Sequence, residues 1–134
     1  MKTGLIVALL FSVFLTFGCR DSESDPLGSS SVPAGAFQYT GYDGRGQIIE
    51  TGWLTILVKE PNIVSGRWQF AAEGSGELRG SISNGRIAID LHPEMVDNNF
   101  LLKGSVEGMV FRGNWAKIGF VGVMGSGTFI ALQQ

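Results

Sequence analysis

The segment 78–91, LRGSISNGRIAIDL, constrains the fold of this chain more than any other stretch of its sequence. On either side of Asn84-Gly85, apolar and polar residues alternate with a period of two, the spacing of a β-strand with one buried face. Asn-Gly favours a type I′ turn, because both central residues of that turn must adopt positive φ. The sequence therefore predicts a β-hairpin with strands at 78–83 and 86–91.

The same alternation, with a glycine on the apolar side, recurs along most of the chain. Turn-forming clusters such as DGRG at 43–46 and EPN at 60–62 separate the alternating runs. No run keeps a 3.6-residue period, so no helix is predicted in the folded domain. About eight strands are predicted in all, at residues 37–42, 47–59, 63–72, 78–83, 86–91, 100–106, 109–116 and 127–132.

Glycines recur on the predicted inner face of most strands. A glycine inside a strand weakens a flat sheet unless the sheet bends sharply or another chain segment approaches closely. Curved antiparallel strands can close into a barrel, which leaves no exposed edge. We therefore predict an all-β fold, a single small antiparallel up-and-down β-barrel of about eight strands, with a β-sandwich as the alternative. The inner glycines are Gly52, Gly66, Gly80, Gly104, Gly113 and Gly127.

Short repeats support an iterated hairpin design. Gly-Arg-Trp at 66–68 is echoed by Gly-Asn-Trp at 113–115, and LRGSI at 78–82 is echoed by LKGSV at 102–106. The strand order and the Gly-x-Trp pattern resemble small up-and-down barrels of the avidin and lipocalin kind. The resemblance concerns the architecture, and no binding residues are carried over from those families.

The N-terminus has the features of a secretory signal. Lys2 supplies the positive charge, and the apolar run at 5–17 is shorter than the ~20 residues that a spanning helix needs. The segment Leu-Thr-Phe-Gly-Cys at 15–19 resembles a bacterial lipobox, although Thr16 stands where a large aliphatic residue is usual. The resemblance implies that residues 1–18 are a lipoprotein signal peptide; an ordinary secretory signal is the alternative.

Cys19 is the single cysteine of the chain and the residue that the resemblance implies is lipidated. It can form no intramolecular disulfide, and a thioether to a lipid would remove a free thiol from an oxidising compartment. Arg20 follows it, whereas aspartate there favours retention in the inner membrane. The resemblance thus implies a bacterial cell envelope protein, lipid-anchored in the outer membrane and facing the periplasm.

Residues 19–35 are rich in Ser, Asp, Pro and Gly, the composition of a flexible linker. We interpret them as a tether, whose typical reach is about 20 Å. Residues 36–134 are enough for one small domain, the predicted barrel. The net charge is −2, with charges of both signs interspersed, so nucleic acid is not an expected partner.

Residue types that carry enzymatic chemistry are scarce. His92 is the single histidine, and a hydrogen-bonded loop histidine is expected beside Pro93. There is no G-x-S-x-G motif, no phosphate-binding loop and no zinc spacing. Oxygen donors at 94–99 match no EF-hand and are equally expected in a turn. We therefore predict a protein that is not an enzyme, with no catalytic residues, metal site or cofactor.

Five large aromatic residues on the predicted inner face form the candidate ligand pocket. An eight-stranded barrel is either just filled by side chains or holds one small ligand. The five large aromatics favour a filled interior and the six inner glycines leave room for a cleft, so composition alone does not decide; the apolar segment 118–125 and the tether favour a cavity. The apolar segment 118–125 is interpreted either as a ninth short strand or plug, or as a mobile lid over the cavity. The predicted pocket residues are Trp68, Phe70, Phe111, Trp115 and Phe129.

These patterns predict a membrane-anchored lipoprotein that carries a non-catalytic binding module for a small apolar or envelope-derived ligand. The expected partners are the membrane, through the lipid on Cys19, and a small hydrophobic ligand or an envelope protein. The alternative is a protein-interaction or inhibitor domain that uses its outer surface and loops around a packed core. It rests on an apolar row, Ile49, Trp53 and Leu57, on the outward side of the strand at 47–59.

Replacing Cys19 with Ala should release the protein from the membrane fraction, because two or more acyl chains are what hold a lipoprotein stably. The measurement is the partition of wild type and Cys19→Ala between pellet and supernatant after a salt wash. Intact mass provides the control, since wild type should carry the lipid and the variant should not. A variant that still pellets, together with an unlipidated wild type, contradicts the prediction.

Overall fold

The computed structural model describes residues 34–134, which form eight antiparallel strands. Each strand pairs with the next along the chain, and the last pairs with the first, so that the sheet closes into a barrel. This confirms the predicted up-and-down barrel, and the sandwich alternative is wrong. The strands are β1 Gly35–Tyr42, β2 Ile48–Glu60, β3 Ile63–Phe70, β4 Gly74–Ser83, β5 Arg86–Asp90, β6 Asn98–Glu107, β7 Val110–Gly119 and β8 Gly122–Gln133.

The predicted signal peptide, the predicted lipidation site Cys19 and the predicted tether up to residue 33 lie outside the described residues. Within residues 34–134, no helix is long and apolar enough to cross a membrane.

The β4–β5 hairpin has the predicted turn. Asn84 and Gly85 have φ values of 51° and 73°, and Ser83 pairs with Arg86 across them. Both positive φ angles are those of a type I′ turn, whose twist matches that of the flanking strands. This turn sets the strand register, which places the side chains of Ile87 and Ile89 inside the barrel, where both are buried.

The inner glycines allow neighbouring strands to approach closely. A Cβ atom at Gly80 would overlap the carbonyl oxygen of Ala88 and lie 3.0 Å from the Cα of Ile89. A Cβ at Gly104 would likewise overlap the carbonyl of Arg112. The other inner glycines face a neighbouring carbonyl in the same way: Gly52, Gly66, Gly113 and Gly127.

The even number of strands puts both chain ends at one end of the barrel. We call this the N-terminal end; it carries Gly35, Gln133 and the β2–β3, β4–β5 and β6–β7 turns. The opposite end, the far end, carries the other four connections, including the long loop at 91–97. The first strand therefore begins at the end of the barrel opposite the longest loop.

The segment 118–125 is neither a ninth strand, nor a plug, nor a lid. It is the tip of the β7–β8 hairpin, whose pairing continues to Gly119 and Gly122. Glycine-rich composition suggested a loop, but ladder hydrogen bonds to the facing strand outweigh the weak strand propensity of glycine. Strand β4 likewise begins at Gly74 rather than at residue 78, because Gly74 pairs with Phe70.

The predicted strand at 109–116 begins one residue too early, at Met109, whose alternation with Phe111 predicts an inward side chain. Met109 lies in the β6–β7 turn, and its side chain is 60% exposed. The strand begins instead at Val110, which pairs with Glu107.

Gly80→Ala should lower the free energy of unfolding by about 1–3 kcal/mol, the usual cost of forcing extra volume into a packed site. The added methyl group meets backbone rather than a movable side chain. Urea unfolding of wild type and variant provides the measurement. Gly44→Ala is the matched control, because nothing lies within 4 Å of its Cβ position. Equal stability of the two variants would show that the strands do not approach as closely as described.

Candidate functional site

The interior of the barrel contains a continuous network of aromatic rings. Tyr39 stacks on Phe70 with ring centroids 4.3 Å apart, and on Phe129 at 5.6 Å. Phe129 in turn meets the edge of Phe111 at 4.8 Å. These four rings form a column along the barrel, and all of them are at most 3% exposed.

The network widens towards the far end. Phe70 contacts Trp68 at 5.2 Å and Phe100 at 6.1 Å, and Phe100 reaches Trp115 at 5.7 Å. His92 adds its ring against Trp68 at 5.4 Å. The structure thus joins all five predicted pocket residues in one cluster, in which side chains contact side chains. Ligand binding by this cluster stays a prediction.

Trp68 and Trp115 have equivalent arrangements towards the far end. Each indole lies opposite an inner glycine of the next strand, because Trp68 pairs with Gly76 and Trp115 pairs with Gly127. Since neither glycine has a side chain, each indole can pass over it towards the strand beyond.

Each indole N–H then donates to a carbonyl two strands away. Trp68 Nε1 donates to the Leu91 carbonyl at 2.7 Å, just after β5, and Trp115 Nε1 donates to the Tyr42 carbonyl at 2.8 Å, at the end of β1. The two arrangements are four strands apart in a barrel of eight, so they are related by an approximate two-fold rotation about its axis. The Gly-x-Trp echo in the sequence marks this internal symmetry.

Grooves open beside both tryptophans. The one at Trp68 has a volume of about 430 Å³ and lies between the β3–β4 turn and the loop at 91–97. Its apolar lining includes Leu91, Pro93 and Met95, with carboxylates at its rim. The groove at Trp115 has a volume of about 530 Å³ and is more polar, with Arg86 and Lys103 in its lining. Only the first groove is formed mainly by connections at the far end.

His92 helps to shape the groove at Trp68. Its Nδ1 lies 2.9 Å from the carbonyl oxygen of Asn98, which can only accept, so Nδ1 is the donor of this hydrogen bond. The hydrogen bond ties the beginning of the loop at 91–97 to the beginning of β6. His92 is therefore a hydrogen-bonded loop histidine that also packs on Trp68.

Glu50 is a buried acid that sequence reasoning missed. Its carboxylate is 7% exposed and accepts hydrogen bonds from the backbone N–H groups of Thr51, Ala72 and Glu73 at 2.9–3.1 Å. The signal was present, because Glu50 shares the inward parity of Gly52 on β2. Its role in the structure is to hold the β3–β4 turn, one wall of the groove.

Tyr39 was also missed, together with Phe100, although the alternation of their strands places both inside. The Tyr39 hydroxyl is buried and has no hydrogen-bond partner among the described residues. Burial, and secondarily the negative charge of Glu50, raise the pKa of this phenol well above its ordinary value. Tyr39 is therefore held in its neutral form.

Within residues 34–134, no group of three or more His, Cys, Asp or Glu side chains is arranged to hold a metal ion.

Comparison with known proteins supports the fold of this chain and gives no information about its chemistry. No family model matches the sequence, and no curated protein is similar to it in sequence. A solved structure described as EF1p2_mFAP2b bound to DFHBI is similar, with a TM-score of 0.57 and 15% sequence identity. The match covers 75% of this chain and 92% of that one. At this identity, the likeness shows the barrel fold alone.

Tyr39→Phe should raise the free energy of unfolding at pH 7 by about 1 kcal/mol, because it removes a buried hydroxyl without a partner. The folded pKa is raised above the unfolded value of about 10, so the wild type should lose stability as the pH rises above 10, by up to ~1.4 kcal/mol per pH unit. The variant should lose less.

Urea unfolding at pH 7 and pH 11 measures both effects. Tyr42→Phe is the control, because Tyr42 is the other tyrosine of the chain and is only half-buried. A Tyr39→Phe variant that is less stable at pH 7 would show that the hydroxyl makes a hydrogen bond in solution.

Proposed function

We propose that this protein is a non-catalytic binding module, anchored by a lipid on Cys19, that takes a small apolar ligand at the far end of its barrel. The observation that carries the proposal is the groove at Trp68. It combines a buried tryptophan face with apolar walls from Leu91, Pro93 and Met95, the usual setting for a small apolar ligand.

The groove gives a ligand access to the aromatic cluster. Trp68 lines the groove and also contacts Phe70 and His92 within the network. The loop at 91–97 forms the outer wall, and loops on a rigid scaffold are where binding residues commonly lie. A ligand entering here would lie against Trp68 first, and would reach Phe70, Phe111, Trp115 and Phe129 only by displacing rings that now touch one another.

The direction of the chain is consistent with this function. The proposed anchor precedes β1, which begins at the N-terminal end, so the groove at the far end is not next to the point where the chain enters the barrel. In the proposed setting, on the periplasmic side of an outer membrane, the groove is open to the surrounding space. The similar barrel structure bound to DFHBI supports the fold's capacity to hold a small molecule, so DFHBI is a reasonable first probe.

A second candidate function uses the outer wall. Ile49, Trp53 and Leu57 point outward from β2 and are 46%, 44% and 47% exposed. Such a row suits a protein-interaction or inhibitor domain whose partner is another envelope protein. In that case Trp53→Ser should abolish partner binding, and a groove substitution should leave it unchanged.

Binding of an apolar probe in the groove should be weakened at least tenfold by Met95→Asp, which places a charge on the apolar wall. The probes are DFHBI and anilinonaphthalene sulfonate, titrated into protein carrying Trp53→Phe so that Trp68 and Trp115 supply the emission. Val96→Asp is the matched control, since it alters the next residue of the same loop, which is 91% exposed and does not line the groove.

Equal weakening by both variants would locate the probe outside the groove. If a broad panel of apolar ligands leaves the tryptophan emission unchanged, the interior is packed core, and the outer row around Trp53 becomes the better candidate.

A further inference from the structure

Five exposed apolar residues at the far end do not line the groove at Trp68. Phe120 and Val121 form the β7–β8 turn and are 88% and 91% exposed. Val123 and Met124, at the beginning of β8, are 67% and 70% exposed, and Val96 in the neighbouring loop is 91% exposed. We call these five residues the apolar tip. Exposed apolar clusters of this kind mark interaction sites.

The two segments of the apolar tip lie side by side. Asn98 pairs with Gly119, so the loop at 91–97 reaches β6 beside the end of the β7–β8 hairpin. A Cβ at Gly119 would lie 3.9 Å from the Asp97 carbonyl oxygen and in contact with the Met124 sulfur. Val96 therefore belongs to the same surface as the hairpin turn.

The shape of the apolar tip fits lipid chains better than it fits a protein surface. Strand pairing continues to Gly119 and Gly122, so only the turn peptides at Phe120 and Val121 lie beyond the ladder. A backbone already paired within its hairpin can enter an environment that offers no hydrogen bonds. The tip residues line none of the grooves described above; they form a projecting edge. A protein partner would need a cavity matched to that edge, whereas lipid chains adapt to it.

The charges around the apolar tip indicate which class of lipid headgroup it would meet. Residues 118–134 contain no charged side chain. Lys117, the basic residue nearest to the hairpin turn along the chain, is ion-paired with Glu73, and Arg79, which reaches the loop at 91–97, is ion-paired with Glu94. Asp97 adds a negative charge beside the tip. Anionic lipid surfaces attract clusters of Lys and Arg, and the described residues around the tip hold no such cluster. The matching surface is therefore one of zwitterionic phospholipid.

Chain length permits this contact even when the protein is held at Cys19. Residues 20–34 span roughly 50 Å when fully extended. Strand β8 is 12 residues long, which corresponds to about 40 Å. A barrel lying on its side can thus bring its far end to the bilayer in which the acyl chains sit.

We infer that the apolar tip is a membrane-contact site, at which Phe120 and its neighbours insert between the headgroups of a zwitterionic phospholipid bilayer. The inference goes beyond the proposed ligand binding and does not require the lipid on Cys19.

The test uses the mature chain, residues 19–134 with Cys19→Ala, which carries neither the signal peptide nor the lipid. Co-sedimentation with phosphatidylcholine vesicles should show binding that Phe120→Asp weakens at least tenfold. Met109→Asp is the matched control, because Met109 is 60% exposed in a hairpin turn at the N-terminal end. Binding should change less than twofold between 0.1 and 0.5 M salt, as expected for apolar insertion rather than charge attraction.

A second readout places the residue in the bilayer. Phe120→Trp, in protein that also carries Trp53→Phe, should have its added emission quenched by brominated phosphatidylcholine, whereas Met109→Trp in the same background should not. Circular dichroism checks that Phe120→Asp is folded, and Phe120→Ser replaces it if it is not.

Three results would overturn the inference. One is the absence of binding to phosphatidylcholine at millimolar lipid, and another is binding that requires anionic lipid. The third is a Phe120-dependent self-association in sedimentation velocity without vesicle binding, which would make the tip an interface between copies of this chain.

Discussion

The pairing of β1 with β8 is the interaction on which the rest of the structure depends. It converts a linear series of hairpins into a sheet without edges, so that every strand is hydrogen-bonded on both sides. Closure is possible only where neighbouring backbones come close, and the inner glycines supply that space. At the closing seam, Gly127 lies against the Tyr42 carbonyl, and the same carbonyl accepts the Trp115 N–H. The closing strand pair, the close approach at Gly127 and the hydrogen bond of Trp115 therefore all meet at the Tyr42 carbonyl.

The two tryptophan arrangements brace the barrel towards its far end. A strand ladder fixes only neighbours, but each indole joins a strand to the second strand beyond, over a glycine that leaves room for the ring. Their positions four strands apart distribute this bracing around the circumference. Between them, Phe70 and Phe100 continue the ring contacts, so the interior is braced from one tryptophan to the other.

Sequence reasoning predicted the barrel because its signals are local. The period of two and Asn84-Gly85 specify strands, inward faces and a hairpin register within a few residues of one another. The same alternation placed Trp68, Phe70, Phe111, Trp115 and Phe129 inside, where the structure has them.

The inward positions of Tyr39, Glu50 and Phe100 could be read from the alternation, but the hydrogen bonds of the interior depend on contacts between distant residues. The Trp115 hydrogen bond spans 73 positions, and Glu50 holds a turn 22 positions away. From the sequence alone, a charged residue near the end of a strand is expected to be exposed to solvent. Its burial becomes predictable only when the turn whose backbone N–H groups it binds is known. The segment 118–125 was misassigned for the opposite reason, since its local composition suggested a loop while pairing across the hairpin decided its structure.

An even number of up-and-down strands brings the beginning of β1 and the end of β8 to the same end of the barrel. The far end is free of both and carries only connections between strands. In this chain, that free end holds the longest loop, the groove at Trp68 and the apolar tip, while the N-terminal end is closed by short turns. Met95 lines the groove and Phe120 does not, although both belong to connections at the far end. The groove and the apolar tip can therefore be altered by separate substitutions in the same barrel. Loss of ligand binding in the groove can then be told apart from loss of membrane contact at the tip.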